Sequence, residues 1–233
     1  MPILSTQFQY SWKQVFQSKL KYFYLITVIY LVVFQKINIH LLLYFQSRPE
    51  VIQIMDPILQ IITPRPINVE LNLFCYGTII FLIIYFLNKP HKMLTILHAL
   101  LLMWMLRWLT IYLLPLATPP HKVSLNDMIA YSHYTISRDL FFSGHTAALV
   151  IMLCAINNRW IFLISFSMTL VVVTLLLIGH QHYFLDIISA PFFAYTCYRF
   201  ADWVDSLLAL KLLKNTQAFA VSDPAVADKI GIS

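Results

Sequence analysis

The apolar positions of this chain come in long blocks rather than in the alternating or one-sided patterns of a soluble fold. Six blocks have the length of membrane-crossing helices or come near it, at about 20–45, 67–87, 93–114, 141–156, 160–178 and 183–203. Polar punctuation separates them. Asn88-Lys89-Pro90-His91-Lys92 and Asn157-Asn158-Arg159 read as tight turns, and 115–140, with Pro119-Pro120, is the longest polar connection. Pro49, Pro57, Pro64 and Pro66 break the stretch 46–66, although Val51 to Ile62 is apolar enough for an interfacial helix. Ahead of the first block, Phe8, Trp12, Val15 and Phe16 recur at helical spacing among Gln, Ser and Lys, so 4–18 reads as an amphipathic segment. The pattern predicts an all-α integral membrane protein, a six-transmembrane-helix bundle with short loops. Its parts are an N-terminal amphipathic cytoplasmic segment (1–19), a six-span membrane domain (20–213) and a flexible cytoplasmic tail (214–233).

Composition strengthens this reading. The chain is 60% hydrophobic and 11% charged, whereas a soluble domain is about half apolar and a quarter charged. That leaves too little polar surface to cover a soluble globule. The net charge of +6 does not indicate nucleic acid, because no basic run or stacking platform accompanies it. Basic residues instead flank the blocks, as expected of loops retained in the cytoplasm. With the N-terminus inside and six crossings, Lys36, Arg48, Arg65, Lys122 and Arg138 fall outside, Arg107 lies within a span, and the other ten of the 16 Lys and Arg fall inside. Both termini are therefore expected in the cytoplasm, with the loops at 46–66, 115–140 and 179–182 on the extracytoplasmic side. Cys75, Cys154 and Cys197 each sit inside an apolar block, without disulfide or zinc spacing. No removable leader is legible, so the first span is expected to remain in the mature chain.

Two stretches carry candidate chemistry, Arg138-Asp139-Leu140-Phe141-Phe142-Ser143-Gly144-His145-Thr146 and Gly179-His180-Gln181-His182-Tyr183-Phe184-Leu185-Asp186. Each sits where an outer loop enters a span, so both reach one face of the membrane. His182 and Asp186 are four apart and share a face if helical. A carboxylate there fixes one imidazole tautomer and leaves the other nitrogen free to attack phosphorus. Ser143-Gly144-His145 at a helix start offers unpaired main-chain N–H groups to a phosphoryl oxygen, with Gly144 allowing close approach. His145 is placed to protonate a leaving oxygen and later to activate the incoming hydroxyl or water. Arg107, inside the third block, should point into the bundle towards an acidic partner or a lipid phosphate. Arg138 either neutralises phosphate or stays solvated. Asp139 is either a site residue or a helix cap, and His180 either contacts phosphate or sits at the interface. No metal cluster is spelled out, and no cofactor is expected.

The order Phe-Ser-Gly-His, a span-length gap, then His-Tyr-x-x-Asp resembles the type-2 phosphatidic-acid phosphatase superfamily, and within it the sphingomyelin synthase branch. That branch has an Asp six residues before the first motif histidine, matched by Asp139, and a His-x-His-Tyr-x-x-Asp pattern, matched by His180, His182, Tyr183 and Asp186. Arg107-Trp-Leu-Thr110, continuing to Leu114-Pro115 and Pro119, fits it as well, so the similarity covers roughly 55–200. It departs from the phosphatases: Ile58 stands where their upstream motif has Lys, and Leu176 where the last has Arg. It also departs from the synthases at Phe184 and at Ser137-Arg138. The resemblance implies His182 as nucleophile, Asp186 as its orienting partner and His145 as proton donor, at the outer or lumenal face. Asp139, Ser143, Gly144, Arg138, Arg107, His180 and Tyr183 would then bind substrate or phosphate. The expected activity is transfer of a phospholipid headgroup phosphate to a lipid alcohol such as ceramide or diacylglycerol. Hydrolysis through the same intermediate, as in a lipid phosphatase or phospholipase C, is the alternative, and a non-enzymatic membrane protein that kept the fold is a third. The expected partners are membrane lipids, with a homo-oligomer left open.

Overall fold

A computed structural model describes residues 12–17, 20–48, 51–123 and 140–222. The described chain forms eight helices: α1 (Trp12–Gln17), α2 (Leu20–Gln46), α3 (Pro57–Ile61), α4 (Asn68–Phe86), α5 (Pro90–Leu113), α6 (Gly144–Cys154), α7 (Arg159–Ile178) and α8 (Phe184–Ser222). The only extended pairing among the described residues is an isolated parallel bridge between Ile52 and Leu116. Local chemistry sets several of the ends. Asn158 caps α7 by accepting from Trp160 N and Ile161 N, and Pro90 begins α5, where its missing N–H costs nothing. Pro191 lies inside α8, which continues through it past the 213/214 boundary to Ser222.

The sequence predicts six spans; among the described residues four helices are long and apolar enough to cross a membrane, within α2, α4, α5 and α7. The other two fall below that length or apolar content, for different reasons. Helix α6 has 11 residues, about 16 Å at 1.5 Å per residue, roughly half of a bilayer core. Helix α8 has the length, but Asp186, Arg199, Asp202 and Asp205 dilute its apolar content. The expected interfacial helix over 51–62 shrinks to the five residues of α3. Upstream of α3 the chain is extended against the loop after α5, with Ile52 N donating to Pro115 O (2.7 Å) and Ala117 N to Ile52 O (2.9 Å).

Helices α4, α5, α6 and α8 share the main core, where Leu82, Phe86, Ile96, Met103, Phe142 and Ile151 are buried. The fully buried Ala99, Ala147, Ala190 and Ala194 belong to α5, α6 and α8. Small side chains let backbones approach, which is how helices associate where lipid removes the hydrophobic drive. A second core of Leu71, Cys75, Leu149, Val172, Leu176 and Ile187 joins α7 to α4, α6 and α8. Helix α2 is tied on by polar and aromatic contacts. Phe34 stacks on Trp108 at 3.7 Å between ring centroids, and Trp108 Nε1 donates to Asn38 Oδ1 at 2.6 Å. His98, an interhelical group as its place inside a span suggests, reaches Thr27 Oγ1 at 2.9 Å and Asp205 Oδ1 at 2.7 Å.

The loops that carry the candidate chemistry pack together. Arg65 N donates to Ile178 O and Val123 N to Gly179 O, each at 3.2 Å. The segments 51–66, 114–123 and 179–183 thereby converge beside the starts of α6 and α8.

Candidate active site

Ser143 begins α6 as an N-cap, its Oγ accepting from Thr146 N at 3.3 Å. Gly144 and His145 follow as the first two helical residues, where main-chain N–H groups have no intrahelical acceptor. Asp186 lies in the first turn of α8, and Ser143 N donates to the Asp186 carbonyl oxygen at 2.9 Å. One main-chain bond therefore joins the two motifs, although more than forty residues separate them in the chain.

His182 is buried, with Nδ1 3.3 Å from Asp186 Oδ2. A carboxylate can only accept, so this contact places the proton on Nδ1 and leaves the lone pair on Nε2. The sequence anticipated one helical face for the two residues. Instead α8 begins at Phe184, so His182 stands on the turn before it, and Asp186 reaches back. The same Oδ2 also accepts from Tyr183 N at 3.1 Å. Asp186 is fully buried, and its Oδ1 has no hydrogen-bond partner among the described residues.

Arg107 is buried at 1% exposure, and its Nη1 donates to the Phe142 carbonyl oxygen. Its guanidinium lies against Gly144: a β-carbon built there would stand 3.3 Å from Cζ. Phe141 and Phe142 both adopt positive φ, 66° and 40°. This backbone is uncommon outside glycine, costs about 1–3 kcal/mol per residue, and needs surroundings that enforce it. Arg107 on the Phe142 carbonyl and the stacking of Phe142 on Phe193, at 4.7 Å, supply that enforcement. The tight turn aims the start of α6 at α8.

His180 and Tyr183 depart from the expected phosphate contacts. The His180 ring places Nδ1 2.8 Å from Pro120 O and Nε2 3.0 Å from Ile62 O, so both nitrogens face main-chain carbonyls. Tyr183 is fully buried, and its hydroxyl donates to Ala117 O at 2.9 Å. Neither residue has a donor left for a phosphoryl oxygen; both staple loops together. Burial, and then the Asp186 carboxylate, push the Tyr183 phenol above its ordinary pKa. Arg138 and Asp139 lie outside the described residues. No group of three or more His, Cys, Asp or Glu among the described residues is placed to hold a metal ion.

Sequence reasoning passed over Asp56. Its Oδ2 accepts from Phe184 N at 2.6 Å, at the first residue of α8. The pair Asp56-Pro57 is legible as a cap followed by proline at the first helical position, but its bond to a residue 128 positions away is not.

The segment that holds both motifs resembles a known family. No curated protein and no solved structure gives a match to the chain. Residues 138–204 match the model of the PAP2 superfamily C-terminal region, and the match supports the PAP2 superfamily, whose members are generally phosphatases or phosphotransferases.

Proposed function

We propose that this protein is a membrane lipid phosphotransferase of the sphingomyelin synthase type. It would move a headgroup phosphate, phosphocholine or phosphoethanolamine, from a phospholipid to ceramide or diacylglycerol. The observation that carries this reading is the buried contact of His182 Nδ1 with Asp186 Oδ2, beside the glycine-led start of α6. In the first half-reaction the Nε2 lone pair attacks phosphorus, the bond from phosphorus to the diacylglycerol oxygen breaks, and His145 protonates that oxygen. In the second, His145 takes the proton of the acceptor hydroxyl, the alkoxide attacks phosphorus, and the P–N bond breaks to return the lone pair to Nε2. Asp186 stabilises the imidazolium character that His182 develops. Each proton transfer contributes about 10²- to 10⁴-fold. Arg107 and the N–H groups at Gly144 and His145 supply positive potential for the phosphoryl oxygens. In this reading the site faces the extracytoplasmic side and both termini are cytoplasmic, following the distribution of Lys and Arg.

The test uses purified protein in vesicles with ³²P-labelled phosphatidylcholine or phosphatidylethanolamine and ceramide. Acid-labile label should appear on the protein, then in a new phospholipid, and His182→Ala should abolish both. Label released only into water, as phosphate or headgroup phosphate, would replace transfer by hydrolysis. Full turnover by His182→Ala would remove the covalent mechanism.

A further inference from the structure

Asp56 belongs to neither histidine motif. It sits on the connection between α2 and α4, buried at 9% exposure. Its carboxylate is committed to three main-chain donors. Oδ1 accepts from Ile58 N at 3.0 Å and Leu59 N at 3.3 Å, capping α3, and Oδ2 accepts from Phe184 N at 2.6 Å. Phe184 N is one of the orphan donors at the start of α8. The preceding donor, Tyr183 N, goes to Asp186 Oδ2, the oxygen that also faces His182 Nδ1. Two carboxylates thus hold consecutive N–H groups of one turn, Asp186 from within α8 and Asp56 from the N-cap of α3.

We propose that Asp56 is a positioning residue for the His182–Asp186 pair. It anchors the first turn of α8 from outside, and so sets the distance and angle at which Asp186 meets His182. The proposal rests on the phosphohistidine reading. The contact it serves is already 3.3 Å long, and its oxygen is shared. A few tenths of an ångström of drift at Phe184, two residues from Asp186, is enough to break it. The anchor itself is firm, because Leu59 packs in a core with Leu116, Leu140 and Tyr183. Only a carboxylate serves both ends. An asparagine has one acceptor oxygen, so its NH₂ must oppose either Phe184 N or the α3 donors.

Asp56→Asn should lower kcat about 10- to 100-fold on ³²P-labelled phosphatidylcholine with ceramide, with KM within about threefold. Phe184→Pro deletes the other end of the same bond, at a helix position that suits proline. Because both changes remove one interaction, the double variant should be no slower than the slower single variant. Phe184→Pro keeps the Asp56 charge in place. A ¹³C-histidine NMR titration in micelles should then show the His182 pKa falling by roughly half a unit or more as its carboxylate contact weakens. That readout needs no substrate and serves equally if Asp56→Asn does not fold. An unchanged His182 titration in Phe184→Pro, losses that multiply in the double variant, or an effect confined to KM would overturn the proposal. His182→Ala is run alongside. If it keeps turnover, the phosphohistidine reading fails; if it is inactive while Asp56→Asn matches the wild type, only the positioning role fails.

Discussion

Gly144 shows how much the site depends on single atoms. Its Cα faces a guanidinium that is itself fixed on the Phe142 carbonyl. In Gly144→Ala the new methyl would stand 3.3 Å from Cζ and 3.4 Å from Nε of a residue that is 1% exposed. Overpacking of this kind costs about 1–3 kcal/mol, and here it displaces either Arg107 or the start of α6. The expected result is at least a tenfold loss of turnover with a lowered unfolding midpoint, measured by lipid assay and thermal scan. Wild-type values for both would mean that Arg107 moves freely. The glycine was readable as a site of close approach before any fold was known. Its partner was not, because Arg107 lies on another helix and nothing in the local sequence points from one to the other. The same holds for His180, whose motif suggests phosphate but whose ring nitrogens lie against carbonyls of two loops distant in sequence.

At the level of elements, the start of α8 is held by loops rather than by its own sequence. Tyr183 ties it to the strand-like segment at Ala117, while Asp56 ties it to α3. Because burial raises the Tyr183 pKa, the fold favours the protonated phenol. That contribution is intact below the ordinary value near 10 and is lost as pH climbs through the raised folded value. Tyr183→Phe should therefore lose about 1 kcal/mol near neutrality, from the orphaned Ala117 carbonyl. The deficit should shrink at alkaline pH, as the wild type weakens there and the variant does not. Chemical denaturation of the two proteins in parallel across that range checks this; a constant difference between them would show that the phenol does not titrate with folding. Several helix starts are set by caps and prolines, as at Asn158 and Pro90. The connection at 46–66 was harder to read, since its apolar residues suit a helix while its extended part is fixed by pairing with 115–117.

At the scale of the whole molecule, the outward faces of the long helices are apolar. Leu170, past the middle of α7, is 50% exposed, as are Ile29 and Ile84 to a similar degree on α2 and α4. Water would penalise such a surface, and lipid does not. Leu170→Cys in sealed vesicles should resist a membrane-impermeant maleimide until detergent is added, whereas His121→Cys, on an exposed loop, should react from one side only. Equal labelling of both cysteines in vesicles would contradict a lipid-covered α7, and the side from which His121→Cys reacts reports the orientation of the site. The sequence by itself determined that the chain is helical and apolar, where most helices begin and end, and which two stretches hold the candidate chemistry. Those properties are local: they depend on runs of side chains, on caps and on spacing. Only the tertiary structure decided that α6 is 11 residues long, that His182 precedes its helix rather than joining it, and that Asp56 and Arg107 brace the two motifs. These depend on which main-chain donors and acceptors meet after packing, and a donor such as Phe184 N finds its carboxylate only once helices far apart in the chain lie side by side.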